Sequence, residues 1–366
     1  MIKRRTNVEI IALGFAIVIL VGTFLLLLPV SSDHTDFLDA LFTATSATCV
    51  TGLVVYDTAT HWTLFGQIVI LLLIQIGGLG FITIGVFLAT YLKKKISLRQ
   101  RGLIEESVNS LKLAGGVKLV KHIIKGTFLF EGIGAIILSL VFIEDFGLLK
   151  GIYLGIFHAI SAFCNAGFDI LGTADNAFPS LTGYSGNILI NVVIMLLIIT
   201  GGIGFLTWDD IYTNKLNIKR YRMQSKIILM ATGCLILFPA VFFFICDLKS
   251  LPAWKRLLAA LFQSVTTRTA GFNTVNISEM SEASKAIMIL LMLIGGSPGS
   301  TAGGMKTTTF TVLILNAIAI FRSQENAGAF GRRLECHVIK NAATIAMLYF
   351  TLFFCGGLAI SVYEDL

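Results

Sequence analysis

Charge is scarce in this chain. Only 13% of its 366 residues are charged, against roughly 25% in soluble domains, and hydrophobic residues reach 55%. That excludes a solvated surface over most of the length. Nothing in the +7 net charge points to a nucleic-acid partner. Six cysteines are present, none in C-x-x-C spacing and most in apolar surroundings. They imply neither a disulfide framework nor a zinc site, and read as small buried apolar residues. No G-x-x-x-x-G-K-[ST] run occurs, so the chain does not itself hydrolyse ATP. An integral membrane enzyme would need a cluster of acids, histidines or a nucleophile at one depth, and the sequence offers none. The bland alternative for the first run is a cleavable leader, but the run is expected to stay as an uncleaved helix. The first apolar run exceeds the roughly 7–15 residues of a signal peptide, and Pro29-Val-Ser-Ser32 is a poor cleavage site.

What the chain has is long apolar runs. Segments 8–30, 62–92, 118–143, 186–213, 226–247, 283–321 and 337–362 approach or exceed the ~20 residues that cross a bilayer. Lysine and arginine crowd at 3–5, 93–125, 215–226 and 322–340, with 21 of the 28 basic residues. Acidic residues such as Asp33, Asp39, Asp57, Asp169 and Asp175 dominate the other faces. The basic faces are therefore expected in the cytoplasm, the N-terminus among them. The acidic faces are expected outside, where they concentrate cations.

One pattern occurs three times, at Leu41–Gly52, Ile156–Gly167 and Leu261–Gly271. Each copy reads as a short helix that stops at a polar loop ending in glycine, between two spans. A second landmark follows each: Gly77-Gly78, Gly201-Gly202 and Gly295-Gly296, after lags of 25, 34 and 24 residues. The expected fold is an all-α polytopic membrane protein of repeated helix–pore-loop–helix units with fourfold pseudosymmetry. Unit 1 spans 1–92, a cytoplasmic linker 93–117, unit 2 118–213, a second linker 214–225 and unit 3 226–321. Residues 322–366 begin a fourth unit. Spacing puts its loop glycine at about 375–386, so the sequence reads as C-terminally truncated or a fragment.

Such loops suit a cation. Rings of backbone carbonyls replace an ion's water shell, and glycine lets successive carbonyls face one axis. Each short helix aims its partially negative C-terminal end inward. The candidate filter residues are Thr48, Cys49, Val50, Thr51 and Gly52; Cys164, Asn165, Ala166 and Gly167; and Thr269, Ala270 and Gly271. One glycine per loop predicts a short filter. The alternative is ordinary re-entrant turns in another kind of transporter. Arg268 is expected behind its loop, bonded to carbonyls or a carboxylate, since facing the axis it would repel the ion. The third copy is one residue shorter and should differ in loop geometry.

The 283–321 run is about ten residues longer than one crossing and is interrupted midway. Gly295, Gly296, Ser297, Pro298, Gly299, Ser300, Thr301, Ala302, Gly303 and Gly304, followed by Lys306, cannot continue a helix. Irregular backbone at membrane depth must be buried in protein or line a wet cavity. The reading is a mobile gate below the filter; the alternative is a kinked helix packed through small residues. Lys306 would be a cation barrier or a latch to an acid. Gly77-Gly78 and Gly201-Gly202 read as close-approach sites. Glu131 reads as either functional or paired between helices, His158 as structural, and Asp209 and Asp210 as paired with nearby lysines.

Thr51-Gly-Leu53, Gln75–Phe81, Asn165-Ala-Gly-Phe168, Thr267–Asn273 and Ser300–Lys306 together resemble the Trk/Ktr/HKT superfamily of potassium uptake proteins. The likeness covers nearly the whole chain. The absence of a helical hairpin before the first unit looks more like the Ktr membrane subunit than the longer Trk one. The resemblance implies potassium uptake at the plasma membrane, often sodium-stimulated, with potassium as substrate and no covalently bound cofactor. It implies a homodimer on a cytoplasmic RCK-type regulatory subunit, which alone binds nucleotide. It makes Gly52, Gly167 and Gly271 filter glycines and 295–306 the gating loop. The family's fourth filter loop has no counterpart in the sequence. Filter oxygens alone leave sodium or ammonium open as alternative ions.

Overall fold

A computed structural model describes residues 6–80, 83–86, 116–215, 217–249, 251–324 and 326–363. Most of the expected linker 93–117 and the end of the 62–92 run lie outside them. Helices follow in the order α1 (Asn7–Leu26), α2 (Phe37–Thr48), α3 (Thr58–His61), α4 (Leu64–Leu79), α5 (Gly116–Phe146), α6 (Leu148–Phe163), α7 (Ile188–Gly202), α8 (Phe205–Asn214), α9 (Met223–Cys246), α10 (Ala253–Thr266), α11 (Glu282–Ile294), α12 (Thr307–Phe321) and α13 (Cys336–Tyr363). Starts are set locally. Thr6 and Glu9 form a reciprocal capping box on α1. Thr63, Asn187 and Ser281 cap α4, α7 and α11 through their side chains.

Among the described residues, α1, Leu119–Phe146 of α5, α9 and α13 are long and apolar enough to cross a membrane. Their side chains turn outward: Leu20 and Phe24 on α1 and Leu352 and Phe354 on α13 are all exposed. Helices that are apolar on faces touching no protein belong in lipid. Two of the other expected spans, 186–213 and 283–321, differ from single crossings. The 186–213 run is not one helix: α7 and α8 meet at a 97° bend, made where Gly204 adopts φ +89°. The 283–321 run is two helices separated by 295–306, as its glycines and proline predict.

The units repeat their packing. In each, the first long helix lies on the short helix after it: α1 on α2, α5 on α6, α9 on α10. The helix closing one unit packs on the short helix of the next, α4 on α6 and α7 on α10. The core therefore forms around the short helices, with Ala44, Ala47, Phe157, Phe163, Phe262 and Phe272 all buried in one cluster. A two-strand hairpin, β1 (Gly328–Ala329) and β2 (Arg332–Arg333), follows α12. Its turn at Phe330 and Gly331 is left-handed at both residues, the geometry of the tightest hairpins.

Candidate functional site

The three glycine loops share one backbone pattern. Each ends in a left-handed residue, an ordinary residue and a left-handed glycine: Val50-Thr51-Gly52, Asn165-Ala166-Gly167 and Thr269-Ala270-Gly271. Alternating hands let neighbouring carbonyls face one axis, which ordinary extended backbone, with its carbonyls pointing alternately to opposite sides, does not. The loops also interlock. A Cβ on Gly52 would overlap the carbonyl oxygen of Ala166, and one on Gly167 would overlap that of Ala270. Gly52 and Gly167 thus each pack against the carbonyl preceding the glycine of the next loop. Because α2, α6 and α10 run straight into these loops, their C-terminal ends converge, and their dipoles add negative potential there.

The shorter third copy departs where expected. Thr51 and Ala166 donate their N–H groups to carbonyls five residues back, on Ser46 and Ser161, both at 2.8 Å. Ala270 donates four residues back, to Thr266, at 2.9 Å. The missing residue is absorbed before the left-handed pair, so the last three residues keep the common form.

A hydroxyl at the sixth position of every copy went unread in the sequence. Ser161 Oγ donates to the Phe168 carbonyl and Thr266 Oγ1 to the Phe272 carbonyl, each at 2.7 Å and buried. These bonds tie the chain after the glycine back to its own short helix. Ser46 holds the same place in the first copy, but its buried Oγ has no partner among the described residues. The triple recurrence of Ser, Ser and Thr was the available signal.

Segment 295–306 lies against two of the loops. Its ends meet: Gly296 donates to the Gly303 carbonyl (3.2 Å), Met305 to Leu293 (3.0 Å) and Thr307 to Gly296 (2.9 Å). The residues between form a closed excursion from a helix. It is wedged into the break between α7 and α8. Ser297 and Thr301 donate to the Gly202 and Gly201 carbonyls, and Phe205 donates to Gly299. Above it, Asn165 Nδ2 donates to Thr301 Oγ1 at 2.8 Å, and Gly303 N–H donates to Thr269 Oγ1 at 3.1 Å. Lys306 Nζ donates to the Ala302 carbonyl at 2.8 Å, so its partner is its own loop and not an acid.

Other expectations divide. Gly77 and Gly201 are close-approach sites: a Cβ there would overlap the Thr48 and Phe163 carbonyls at the ends of α2 and α6. His158 is buried, donating Nδ1–H to the Leu154 carbonyl at 2.8 Å among Phe142, Phe157 and Phe272. Glu131 is buried and takes a bond from Gln75 Nε2 at 3.2 Å. Asp209 and Asp210 pair with Arg222 at 2.9 and 3.4 Å, not with lysines. Arg268 is buried, but its Nε and Nη1 find no acceptor among the described residues, so these two donors do not brace the loop as expected. Only Cys164 is a buried cysteine; Cys49, Cys234, Cys246, Cys336 and Cys355 are exposed.

On the expected outer side, Asp57 accepts from the N–H groups of Ala59 and Thr60 and, across the units, from Phe178 at 2.8 Å. Asp169, two residues beyond Gly167 and outside the spanning helices, is half-buried. Burial, with help from Asp57, raises its carboxyl to about 6 against the opposing effect of the Leu171 N–H.

The TrkH family of cation transport proteins matches residues 2–365. The potassium/sodium uptake protein NtpJ of Enterococcus hirae is 41% identical over the whole chain, which spans 81% of that protein. The Ktr system potassium uptake protein B of Bacillus subtilis is 39% identical over 99% of the chain and 81% of its own length. The crystal structure of the potassium transporter TrkH from Vibrio parahaemolyticus superposes with a TM-score of 0.74 at 18% identity, over 99% of this chain and 74% of that one. The repeated helix–loop–helix fold and these matches agree: the chain belongs to the TrkH family of cation transport proteins, multi-pass membrane transporters and not enzymes.

Proposed function

We propose that the chain carries potassium into the cell across the plasma membrane, with its N-terminus in the cytoplasm. The observation that carries this reading is the interlocking of three loops through their left-handed glycines. Residues 48–52, 164–167 and 269–271 supply the filter carbonyls, and 295–306 is the gate beneath them. The unit boundaries read from the sequence divide the chain accordingly. The inside-negative potential favours entry by about 2.3 kcal/mol per charge per 100 mV. Two copies form the working pore pair, and a cytoplasmic RCK-type subunit controls the gate by binding nucleotide. The names of the relatives support potassium as the ion and, for the Enterococcus hirae protein, sodium beside it.

Complementation tests the ion. The full-length gene should let a potassium-uptake-deficient bacterium grow at low potassium; inserted protein that never does so rules the reading out. Excision tests the gate. Because the ends of the 297–302 excursion already meet through Gly296 and Gly303, removing those six residues leaves α11 and α12 joinable. Flux without the cytoplasmic subunit should rise about tenfold or more, since the plug's several buried hydrogen bonds no longer oppose opening. Unaltered flux in properly inserted protein would count against a gate.

The mouth should respond to pH. Asp169 carries its charge above pH about 6 and loses it below. Acidifying the outside from pH 7 to 5 removes one negative charge near the entrance, and uptake at limiting potassium should fall about two- to threefold at low salt. Asp169→Asn should flatten that step and start from the lower rate. A profile identical in the variant would place the titrating group elsewhere.

A further inference from the structure

The geometry points to a latch between filter and gate: Asn165 and Thr269 hold the 295–306 loop closed through their side chains, so that opening frees the filter loops from beneath. The inference rests on the reading of these segments as filter and gate.

Three residues occupy the first left-handed position of the loops: Val50 (φ 50°), Asn165 (φ 58°) and Thr269 (φ 69°). Non-glycine residues adopt this conformation at a cost, greatest for β-branched side chains such as threonine. Each therefore needs surroundings that hold it there. Asn165 and Thr269 have polar side chains, and both are spent on the gate. Asn165 Nδ2 donates to Thr301 Oγ1, and Thr301 Oγ1 donates in turn to the Phe163 carbonyl at 2.9 Å. Asn165 Nδ2 also reaches the same carbonyl at 3.3 Å. One gate hydroxyl thus closes a triangle with a filter side chain and the last residue of α6. Thr269 Oγ1 receives the Gly303 N–H. At the first loop the equivalent residue is the apolar Val50, which has no such bond to make. Left-handed polar residues bond to the gate, and the apolar one belongs to the loop with no hydrogen bond to the gate among the described residues.

Asn165 is 1% exposed and Thr301 3%. Water cannot replace these bonds as they break, so each raises the threshold for opening. Opening also removes the partner that fixes Asn165, one residue from Ala166, whose carbonyl packs on Gly52. The two events are coupled: a released gate leaves a looser filter.

The test measures potassium and sodium influx in cells expressing the full-length protein without its cytoplasmic subunit, corrected for protein in the membrane. Thr301→Val keeps the side-chain shape and removes the hydroxyl. It should raise potassium influx about five- to tenfold and lower the potassium-to-sodium ratio. Thr301→Ser, which keeps the hydroxyl, should restore the low flux. Asn165→Gly should mimic Thr301→Val, and the double variant should go no further, because both remove one tie. Thr269→Gly should multiply the effect of Thr301→Val, because it removes the other. If Asn165→Gly does not insert, the Val and Ser variants at 301 still decide. Wild-type flux and selectivity in Thr301→Val, where excision of 297–302 raises flux, would overturn the latch and leave the gate standing. Unaltered flux in the excision as well would overturn both.

Discussion

Alanine at position 167 is expected to cut potassium uptake about a hundredfold or more, equivalent to about 2.7 kcal/mol in the barrier, with normal amounts of protein in the membrane. Two costs combine. Gly167 has φ +71°, and a side chain in that region costs roughly 1–2 kcal/mol. The added Cβ would also overlap the Ala270 carbonyl oxygen, so relief requires moving a proposed ion ligand. Carbonyl–ion attraction changes steeply over such a shift, and the filter loses potassium preference along with rate. Gly52→Ala should behave alike, since its Cβ overlaps the Ala166 carbonyl. Gly271→Ala carries only the backbone strain, at φ +86°, because its nearest neighbour is the Gly167 Cα at 3.4 Å. Its loss should be nearer tenfold. Growth at low potassium and tracer influx, compared across the three variants, check the order. Equal losses at 167 and 271 would sink the interlocking of the loops.

Much of this site was legible from the chain. The loops were visible because a short helix and a glycine recur with a second glycine pair at matched lags; one copy alone would have been an ordinary turn. The interruption at 295–306 was visible because no helix accommodates so many glycines with a proline. The rest was hidden for physical reasons. The 97° break after Gly202 lies in an apolar run whose only marks are glycines, and glycine serves close packing as readily as a bend. The pairing of Asn165 with Thr301 joins residues 136 positions apart, which no periodicity encodes. The charge of Arg268 made a bonded partner look compulsory, yet its Nε and Nη1 have none among the described residues. Asp209 and Asp210 chose Arg222 over the lysines nearby because its fork serves both carboxylates at once.

Gly201 and Gly202 are adjacent in α7 and read alike in sequence, yet alanine should be ruinous at one and harmless at the other. A Cβ on Gly201 would overlap the Phe163 carbonyl and stand 2.7 Å from Thr301 Oγ1 and 3.0 Å from Asn165 Nδ2. Side chains relieve overpacking by turning aside, at about 1–3 kcal/mol, but a carbonyl at a helix end has no such freedom. Either α7 moves off α6, or the Phe163 carbonyl rotates and gives up its bond from Thr301. Both outcomes loosen filter and gate together, so Gly201→Ala should lose about 3 kcal/mol or more of stability. A Cβ on Gly202 would find its nearest neighbour, the Ala302 Cβ, at 3.9 Å, an ordinary contact. There the better helix propensity of alanine, worth up to about 1 kcal/mol, leaves stability level or slightly higher. Gly77→Ala should fail as Gly201→Ala does, through the Thr48 carbonyl. Thermal unfolding of the purified protein in detergent separates the cases. If the 201 and 202 variants melt together, α7 has room to yield, and the close approach of its backbone to the end of α6 does not hold the filter in place.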